Sequence, residues 1–189
     1  MIRIGILGNI GSGKSYVAKN FGYPVFNADY EVTKLYKKDK RIFKKLKKKL
    51  PKYISSFPIN KNEITKAILS NKVNLQKIIS IVHLEIRKLL KLFLIKNRNE
   101  KIIILDIPLL LENKINNKND ILVFVDSKKI EIEKRLKKRL NFNRKLINKF
   151  KKIQFSSSYK KKKSNFIIKN NFKKKSLNKS IKKILNEIL

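Results

Sequence analysis

The chain has 189 residues, of which 42% are hydrophobic, and a formal net charge of +36. This length is enough for one domain of ordinary size with a buried core, and the hydrophobic content excludes a disordered tail. The chain has no cysteine and one histidine, which excludes a disulfide scaffold, a thiolate metal site and a histidine-rich metal centre.

The positive charge is spread along the chain. Lysines recur in nearly every predicted helix, as at 44–49, 160–163 and 173–175, together with abundant Asn and Ile. We interpret these lysines as solvated helix faces in a protein from an A/T-rich genome; an evolved nucleic-acid surface is the alternative. A field of this sign attracts anions, so we expect non-specific binding to RNA but no specific nucleic-acid partner.

The N-terminal segment predicts a phosphate-binding loop. An apolar strand, Ile2–Leu7, leads into residues 8–15, Gly-Asn-Ile-Gly-Ser-Gly-Lys-Ser, which fit the pattern G-x-x-x-x-G-K-[ST] and precede a helical pattern. Glycines let backbone N–H groups surround a polyphosphate at a helix N-terminus. Lys14 can then reach the β- and γ-phosphates, and the Ser15 hydroxyl can bind Mg²⁺. We predict that the chain binds a nucleoside triphosphate; a glycine-rich turn without a ligand is the alternative.

Strands and helices alternate through the rest of the chain. Further strands are predicted at Pro24–Asn27, Ile102–Asp106, Ile121–Val125 and Asn165–Lys169. This alternation favours a parallel sheet with crossover helices. A long helical insertion separates the second and third strands, and its last helix has an apolar stripe from Leu75 to Phe93. After the fourth strand, Ile132, Leu136 and Leu140 share a helix face, and Ser176 is the expected N-cap of the last helix.

No segment predicts a membrane anchor or an export signal. The longest apolar stretch, Ile102–Leu111, is interrupted by Asp106 and is too short to span a bilayer. The chain opens directly into the first strand, which leaves no room for a signal peptide. We therefore expect a cytoplasmic protein, monomeric and without a membrane partner.

Several segments together resemble the dephospho-CoA kinase family. They are residues 5–15, Asn-Ala-Asp at 27–29, Ile-Val-His-Leu-Glu-Ile-Arg at 81–87, Asp-Ile-Pro-Leu-Leu-Leu-Glu at 106–112, Arg-Leu-Lys-Lys-Arg at 135–139, Gln154 and Asn170. Each motif is weak alone, but their order and spacing follow the family along nearly the whole chain. The resemblance implies an α/β P-loop kinase with a five-stranded parallel sheet flanked by helices. It also implies a core (1–27, 101–139 and 162–189), a helical CoA-binding insertion (28–100) and a lid (140–161).

The resemblance implies transfer of the γ-phosphoryl group of ATP to the ribose 3′-hydroxyl of dephospho-CoA, with Mg²⁺. The residues expected to hold the ATP phosphates are Gly11, Ser12, Gly13, Lys14, Ser15 and Tyr16. Lys14 is expected to stabilise charge on the γ-phosphoryl group, and Ser15 and Asp106 to hold Mg²⁺. Turn chemistry before Pro108 is the alternative for Asp106.

The acceptor residues are expected in the insertion and after the third strand. Asp29 follows the end of a strand, where ligands bind in open α/β sheets, and is our candidate general base; an N-cap role is the alternative. His83 and Arg87 share a helix face and are expected to contact the acceptor diphosphate or ribose, or else to border the apolar stripe. Glu112 is expected to fix the acceptor or to cap a helix.

Arg139 resembles the lid arginine that contacts the ATP phosphates and adenine, with Arg135 one turn earlier. An exposed cationic helix face is the alternative, although Arg is scarce beside Lys in this chain. The positions that depart from the family pattern are Tyr16, Asn27, Leu84, Ile132, Lys161 and Asn165. Another small P-loop kinase and a kinase-fold RNA-binding protein are the competing hypotheses. RNA binding that weakens steeply as salt rises would indicate the RNA-binding protein.

Overall fold

The β-branched runs form the strands of a parallel sheet where the sequence predicts them. The computed structural model describes residues 1–139 and 142–189. In this part of the chain the strands are β1 (Ile2–Gly8), β2 (Val25–Asn27), β3 (Ile102–Asp106), β4 (Ile121–Asp126) and β5 (Phe166–Lys169). All pair in parallel in one five-stranded sheet of order β2-β3-β1-β4-β5. The predicted α/β class is therefore confirmed.

Helices connect the strands and supply the segment between β2 and β3. They are α1 (Lys14–Asn20), α2 (Ala28–Lys38), α3 (Lys40–Lys49), α4 (Lys61–Ser70), α5 (Lys72–Lys96), α6 (Lys129–Lys137), α7 (Arg144–Ile153), α8 (Ser157–Lys163) and α9 (Lys174–Ile188). Within residues 1–139 and 142–189, none of these helices combines the length and hydropathy needed to cross a bilayer.

The chain divides into two compact units. The first comprises Met1–Asn27, Asn97–Asn143 and Lys151–Leu189 and contains the sheet. Its main core consists of apolar side chains from β1, β3, β4 and β5 packed with others from α1 and α9. Because the strands are parallel, β1, β3 and β4 end at one edge of the sheet, and the polar residues that follow them gather there.

The second unit comprises Ala28–Lys96 and Arg144–Phe150 and is helical. Helix α5 packs against α2, α3 and α4. Its buried side chains include Leu75, Ile78, Val82, Ile86 and Leu90, which confirms the predicted stripe. In the same unit, the Lys149 ammonium donates to the carbonyl oxygens of Ile68 and Leu69 at 2.6 and 2.9 Å and so caps the end of α4. The boundaries of the insertion (28–100) and the lid (140–161) stay predictions.

The predicted start of the last helix is wrong. Helix α9 begins at Lys174 with Lys173 as its N-cap, so Ser176 lies inside the first turn. The earlier start has a local cause, because the Asn171 side chain accepts a hydrogen bond from the Lys173 N–H at 3.1 Å and orders the turn before the helix. Of the stripe predicted after β4, Ile132 and Leu136 are buried in α6. Leu140 lies outside the described residues.

Asn165 fixes the start of β5. Its side-chain oxygen accepts from the Leu122 N–H at 2.8 Å, and its own N–H donates to the Leu122 carbonyl at 2.8 Å. An amide oxygen accepts this bond as a carboxylate oxygen would, so Asn165 makes the contact that an Asp at this position would make.

Candidate active site

The loop between β1 and α1 has a backbone that requires glycine. Gly11 and Gly13 have φ angles of 87° and 91°, in the left-handed region that side chains rarely tolerate. A Cβ atom on Gly13 would lie 2.6 Å from Nδ2 of Asn170, and one on Gly11 would lie 3.0 Å from the Leu136 side chain. Both glycines are therefore needed for the conformation and for the close packing around it.

Groups from the ends of two neighbouring strands hold the loop in this shape. The Ser12 carbonyl accepts from Ser127 Oγ, just after β4, and from Asn170 Nδ2, just after β5, both at 2.9 Å. The Ser12 N–H donates to the Asn9 carbonyl at 3.1 Å. Buried Ser12 Oγ has no hydrogen-bond partner among the residues the structure describes. These hydrogen bonds fix the conformation of the loop, which retains a polar atom that a bound group or water could satisfy.

Lys14 begins helix α1 and lies over the loop. Its ammonium donates to the carbonyl oxygens of Gly8 and Asn9 at 3.2 and 3.0 Å. Ser15 and Tyr16 follow in the first turn of α1 and are exposed. The first N–H groups of a helix have no partner within it, so this turn presents donors to an anion.

Asp106 ends β3 beside Asn27, which ends β2, and the two residues are register partners. Asp106 is buried, and the Asn27 amide donates a hydrogen bond to its carboxylate. An acid at position 27 would face this carboxylate with a like charge, whereas asparagine supplies a donor. The departure at Asn27 therefore has a local physical reason.

The donor set at this edge suits Mg²⁺. Ser15 offers a hydroxyl and Asp106 a carboxylate, both hard oxygen ligands. In residues 1–139 and 142–189 there is no cluster of three or more His, Cys, Asp or Glu side chains able to hold a metal. Mg²⁺ needs no such cluster, because it is usually bound through one or two protein oxygens, substrate phosphates and water.

Asp29 is exposed and is the second residue of α2. The N-cap alternative for Asp29 is therefore wrong, because the residue lies within the first helical turn. Its carbonyl accepts from Thr33 Oγ1 at 2.9 Å. A carboxylate in the first turn interacts favourably with the helix dipole, and the Asp29 side chain is exposed to solvent.

His83 and Arg87 lie one turn apart on α5. His83 is partly buried and Arg87 is exposed. Burial, and secondarily the charge of Arg87, lower the pKa of His83 below its usual value of 6.5. At neutral pH the imidazole is therefore uncharged, and the fixed positive charge of this pair belongs to Arg87.

Glu112 follows β3 and forms a buried ion pair. Its Oε1 lies 2.9 Å from the Lys160 ammonium and accepts from the Phe155 N–H at 2.8 Å. The side chains of Lys160 and Glu112 are only 2% and 8% exposed. The interpretation of residues 160–163 as a solvated face is thus wrong for Lys160, which neutralises a buried carboxylate.

The segment that contains Lys160, residues 154–161, makes further contacts with the edge of the sheet. Gln154 Nε2 donates to the Pro108 carbonyl at 3.3 Å, and Ser157 Oγ donates to Asn9 Oδ1 at 2.9 Å. Lys161 Nζ lies 2.7 Å from Asp126 Oδ2 at the end of β4. Through Asn9 this segment touches the phosphate loop directly.

Helix α6 also packs on the loop. A Cβ atom on Gly11 would lie 3.1 Å from the Ile132 side chain and 3.0 Å from the Leu136 side chain. Ile132, a departure from the family pattern, therefore supports the loop. Arg139 follows the end of α6 and is exposed, and its N–H donates to the Leu136 carbonyl at 3.2 Å.

Residues with contacts at this edge that were not predicted from the sequence include Asn9, Ser127, Lys160 and Phe172, whose ring lies 3.0 Å from where a Cβ on Gly13 would stand. Ser127 could have been identified from the sequence, because it is a polar residue directly after a buried strand. No sequence pattern distinguishes Lys160, because it stands in a run of four lysines. The structure brings together the predicted Gly11, Gly13 and Lys14 with Asn170, and it places Glu112 against Lys160.

Comparison with known proteins matches most of the chain to one family. The family described as dephospho-CoA kinase matches residues 2–176. The dephospho-CoA kinase of Wolbachia pipientis is 33% identical over 98% of this chain and 97% of its own length. The dephospho-CoA kinase of Ehrlichia canis is 30% identical over 98% of this chain and 95% of its own length.

Solved structures show the same fold. A Thermus thermophilus protein superposes with a TM-score of 0.79 at 28% identity, over 100% of this chain and 98% of its own. The dephospho-CoA kinase of Campylobacter jejuni gives a TM-score of 0.61 at 20% identity, over 98% of this chain and 96% of its own, which supports the fold alone. With the family match spanning most of its length, the chain belongs to the dephospho-CoA kinase family.

Proposed function

We propose that this protein transfers the γ-phosphoryl group of ATP to the 3′-hydroxyl of dephospho-CoA, forming CoA and ADP. The observation that carries the proposal is the preformed loop from Gly8 to Ser15, with Lys14 over it, in a chain of this family. Phosphoryl transfer depends mainly on positioning and on neutralising charge, and the loop offers both.

At the donor side, the N–H groups of residues 11–16 would bind the ATP phosphates. The Lys14 ammonium would exchange its contacts with the Gly8 and Asn9 carbonyls for phosphate oxygens. The exposed Arg139 would place its positive charge beside the transferred phosphoryl group, which is the role of the lid arginine that it resembles in the family. Lys14 and Arg139 then act on charge that grows in the transition state.

Mg²⁺, when bound, would neutralise negative charge on the phosphates. The Ser15 hydroxyl would bind it directly, and the Asp106 carboxylate would hold it through a water molecule. Asn27 keeps the Asp106 carboxylate oriented through its hydrogen bond. The two side chains fit the cation without further acidic residues.

At the acceptor side, Asp29 would accept the proton of the 3′-hydroxyl as that oxygen bonds to the γ-phosphorus. The bond between the γ-phosphorus and the bridging oxygen breaks, and ADP leaves with the electron pair. Arg87 and the neutral His83 would bind the acceptor diphosphate or ribose. Glu112 is bound to Lys160 and Phe155, so a role in fixing the acceptor would act through the segment it anchors.

We also propose a cytoplasmic monomer without a specific nucleic-acid partner. The cysteine-free composition suits a reducing compartment. The net charge of +36 predicts that any RNA binding weakens steeply with salt, whereas a specific ATP site changes little.

The test is a time course with MgATP and dephospho-CoA, in which the CoA formed is quantified by mass spectrometry to give initial rates. We expect CoA from the wild type and a rate about 10²–10³-fold lower from Lys14→Ala. The matched control is Lys19→Ala, which removes an exposed lysine from the last turn of the same helix and should retain the wild-type rate. A panel of nucleosides as acceptors runs in parallel. Phosphorylation of a nucleoside without formation of CoA would overturn the proposed acceptor and favour another small kinase.

A further inference from the structure

Asn9, the second residue of the phosphate loop, is the point where the loop meets helix α8. Its Oδ1 accepts a hydrogen bond from Ser157 Oγ at 2.9 Å. Its carbonyl oxygen accepts from the Ser12 N–H at 3.1 Å and from the Lys14 ammonium at 3.0 Å. The side chain of Asn9 therefore binds a helix from a distant part of the chain, while its backbone binds the lysine that is expected to contact the phosphates.

Helix α8 packs against β1 and β4, and ion pairs hold it there. Lys160 Nζ lies 2.9 Å from Glu112 Oε1, and both side chains are almost completely buried. Lys161 Nζ lies 2.7 Å from Asp126 Oδ2. Breaking a buried pair of opposite charges is strongly unfavourable, so Ser157, the first residue of α8, is held in place beside the loop.

The Lys14 side chain lies along the start of the loop. A Cβ atom on Gly8 would be 3.4 Å from Lys14 Cγ, and the ammonium donates to the Gly8 carbonyl at 3.2 Å. The orientation of the peptide group that follows Asn9 determines where the second carbonyl contact of the ammonium lies. A flexible lysine side chain loses conformational freedom when it binds phosphate, and a lysine that is already held in place loses less.

We propose that Asn9 is a positioning residue for Lys14, and that the hydrogen bond from Ser157 enables it to act as one. The proposal rests on the nucleotide-donor role proposed above. With Ser157 bound, the Asn9 carbonyl keeps the Lys14 ammonium over the loop, where the phosphates of ATP would replace that carbonyl as its partner. Without this hydrogen bond, the Asn9 peptide group and the Lys14 side chain gain freedom in the empty loop, and ATP binding must then order both.

The test is calorimetric binding of MgATP, without an acceptor, to the wild type and to variants of the two hydrogen-bonding side chains. We expect Asn9→Ala and Ser157→Ala each to lower the MgATP affinity about three- to tenfold. The double variant should lose no more than either single variant, because the same hydrogen bond is missing in all three. Ser157→Thr keeps the hydroxyl and should bind like the wild type. So should the matched control Ser158→Ala, which changes the next, exposed residue of α8.

A Lys14→Ala background separates positioning of the lysine from support of the loop. In that background, Asn9→Ala and Ser157→Ala should change the MgATP affinity by less than about twofold, because the side chain that they position is absent. A substitution that only distorted the loop would weaken binding by the same factor with or without Lys14. Thermal melting should show Ser157→Ala folded, since the substitution removes one partly buried hydroxyl.

Equal losses with and without Lys14 would overturn the proposal, because Asn9 would then act on the loop and not through the lysine. Wild-type affinity in Ser157→Ala would overturn it as well, and so would a loss in Ser157→Thr as large as that in Ser157→Ala. No acceptor is present in the calorimetry. A protein that shows the expected dependence on Lys14 but forms no CoA would therefore count against the proposed acceptor alone.

Discussion

The phosphate loop and the acceptor helices hold their candidate residues in different ways. Around the loop, the Ser12 carbonyl has two side-chain donors, and Gly11 and Gly13 leave no room for a Cβ. On α2 and α5, Asp29 and Arg87 are exposed and His83 is partly buried. The loop is held by contacts from distant parts of the chain, whereas the acceptor residues lie on two helices with side chains that are exposed or partly buried.

The difference predicts two kinds of variant. Substitutions near the loop should change stability and ligand binding together, because the same contacts serve both. Substitutions on the acceptor helices should change activity while the fold keeps its stability, because exposed side chains contribute little to folding.

Asp29→Asn should give the largest effect and the clearest case of the second kind. Loss of a general base should lower kcat about 10²–10⁴-fold. Loss of the favourable interaction with the helix dipole should lower stability by about 0.3–1 kcal/mol. Steady-state kinetics and thermal melting check both. Glu31→Gln, in the same first turn of α2, should retain kcat; an equal loss in both variants would mean that Asp29 acts only through the local charge.

Lys160→Met should be the most destabilising change near the loop. It leaves the Glu112 carboxylate buried without its cation, and breaking such a pair costs about 3–5 kcal/mol. Urea unfolding measures the loss. Adding Glu112→Gln should recover part of it, because no charge then stays buried. Lys162→Met, an exposed position in the same lysine run, should change stability by less than about 0.5 kcal/mol. Similar stability for Lys160→Met and Lys162→Met would contradict the ion pair.

Gly13→Ala should weaken folding and nucleotide binding together. Left-handed backbone costs alanine about 1–2 kcal/mol, and its Cβ would also press on Asn170. Gly22→Ala is the matched control, because Gly22 has a φ of 78° with open space around it. It should lose the backbone cost alone and bind ATP normally. Urea unfolding and ATP calorimetry on both variants check this, and normal ATP binding by Gly13→Ala would refute the described loop.

The smallest expected effect concerns His83, which NMR can follow alone because the chain has one histidine. Burial and Arg87 lower its pKa, so the unfolded chain takes up a proton first as pH falls below 6.5. The contribution of His83 to stability is therefore complete above pH 6.5 and declines below it. Dephospho-CoA should raise the pKa if its diphosphate approaches the imidazole. No change on saturation with the acceptor would place the diphosphate elsewhere.

Much of the fold could be predicted because its determinants are local. The period of apolar residues located every strand within a residue or two and identified the stripe of α5. Ser176 shows the limit, since the Asn171 side chain orders an earlier turn and moves the start of α9. A cap depends on which of several suitable side chains meets the backbone, and residue type alone does not decide that.

The candidate site divides in the same way. Gly11, Gly13, Lys14 and Ser15 could be identified from the sequence, because a phosphate loop needs fixed residue types at fixed spacing along eight consecutive residues. Asp29, His83, Arg87 and Arg139 came from the family resemblance, and their roles stay predictions.

The sequence by itself determined the strand order along the chain, the phosphate loop and the family. Only the tertiary structure decided which lysine of the 160–163 run is buried against Glu112, and which side chains meet the Ser12 carbonyl. It also brought Arg135 over Phe172, 37 residues further along the chain. Local sequence patterns determine whether a residue lies in a helix, a strand or a loop. Contacts between residues that are distant in sequence arise from the packing of whole helices on a sheet. For that reason one lysine in a run of four can be a buried ion-pair partner, and no pattern of charge distinguishes it beforehand.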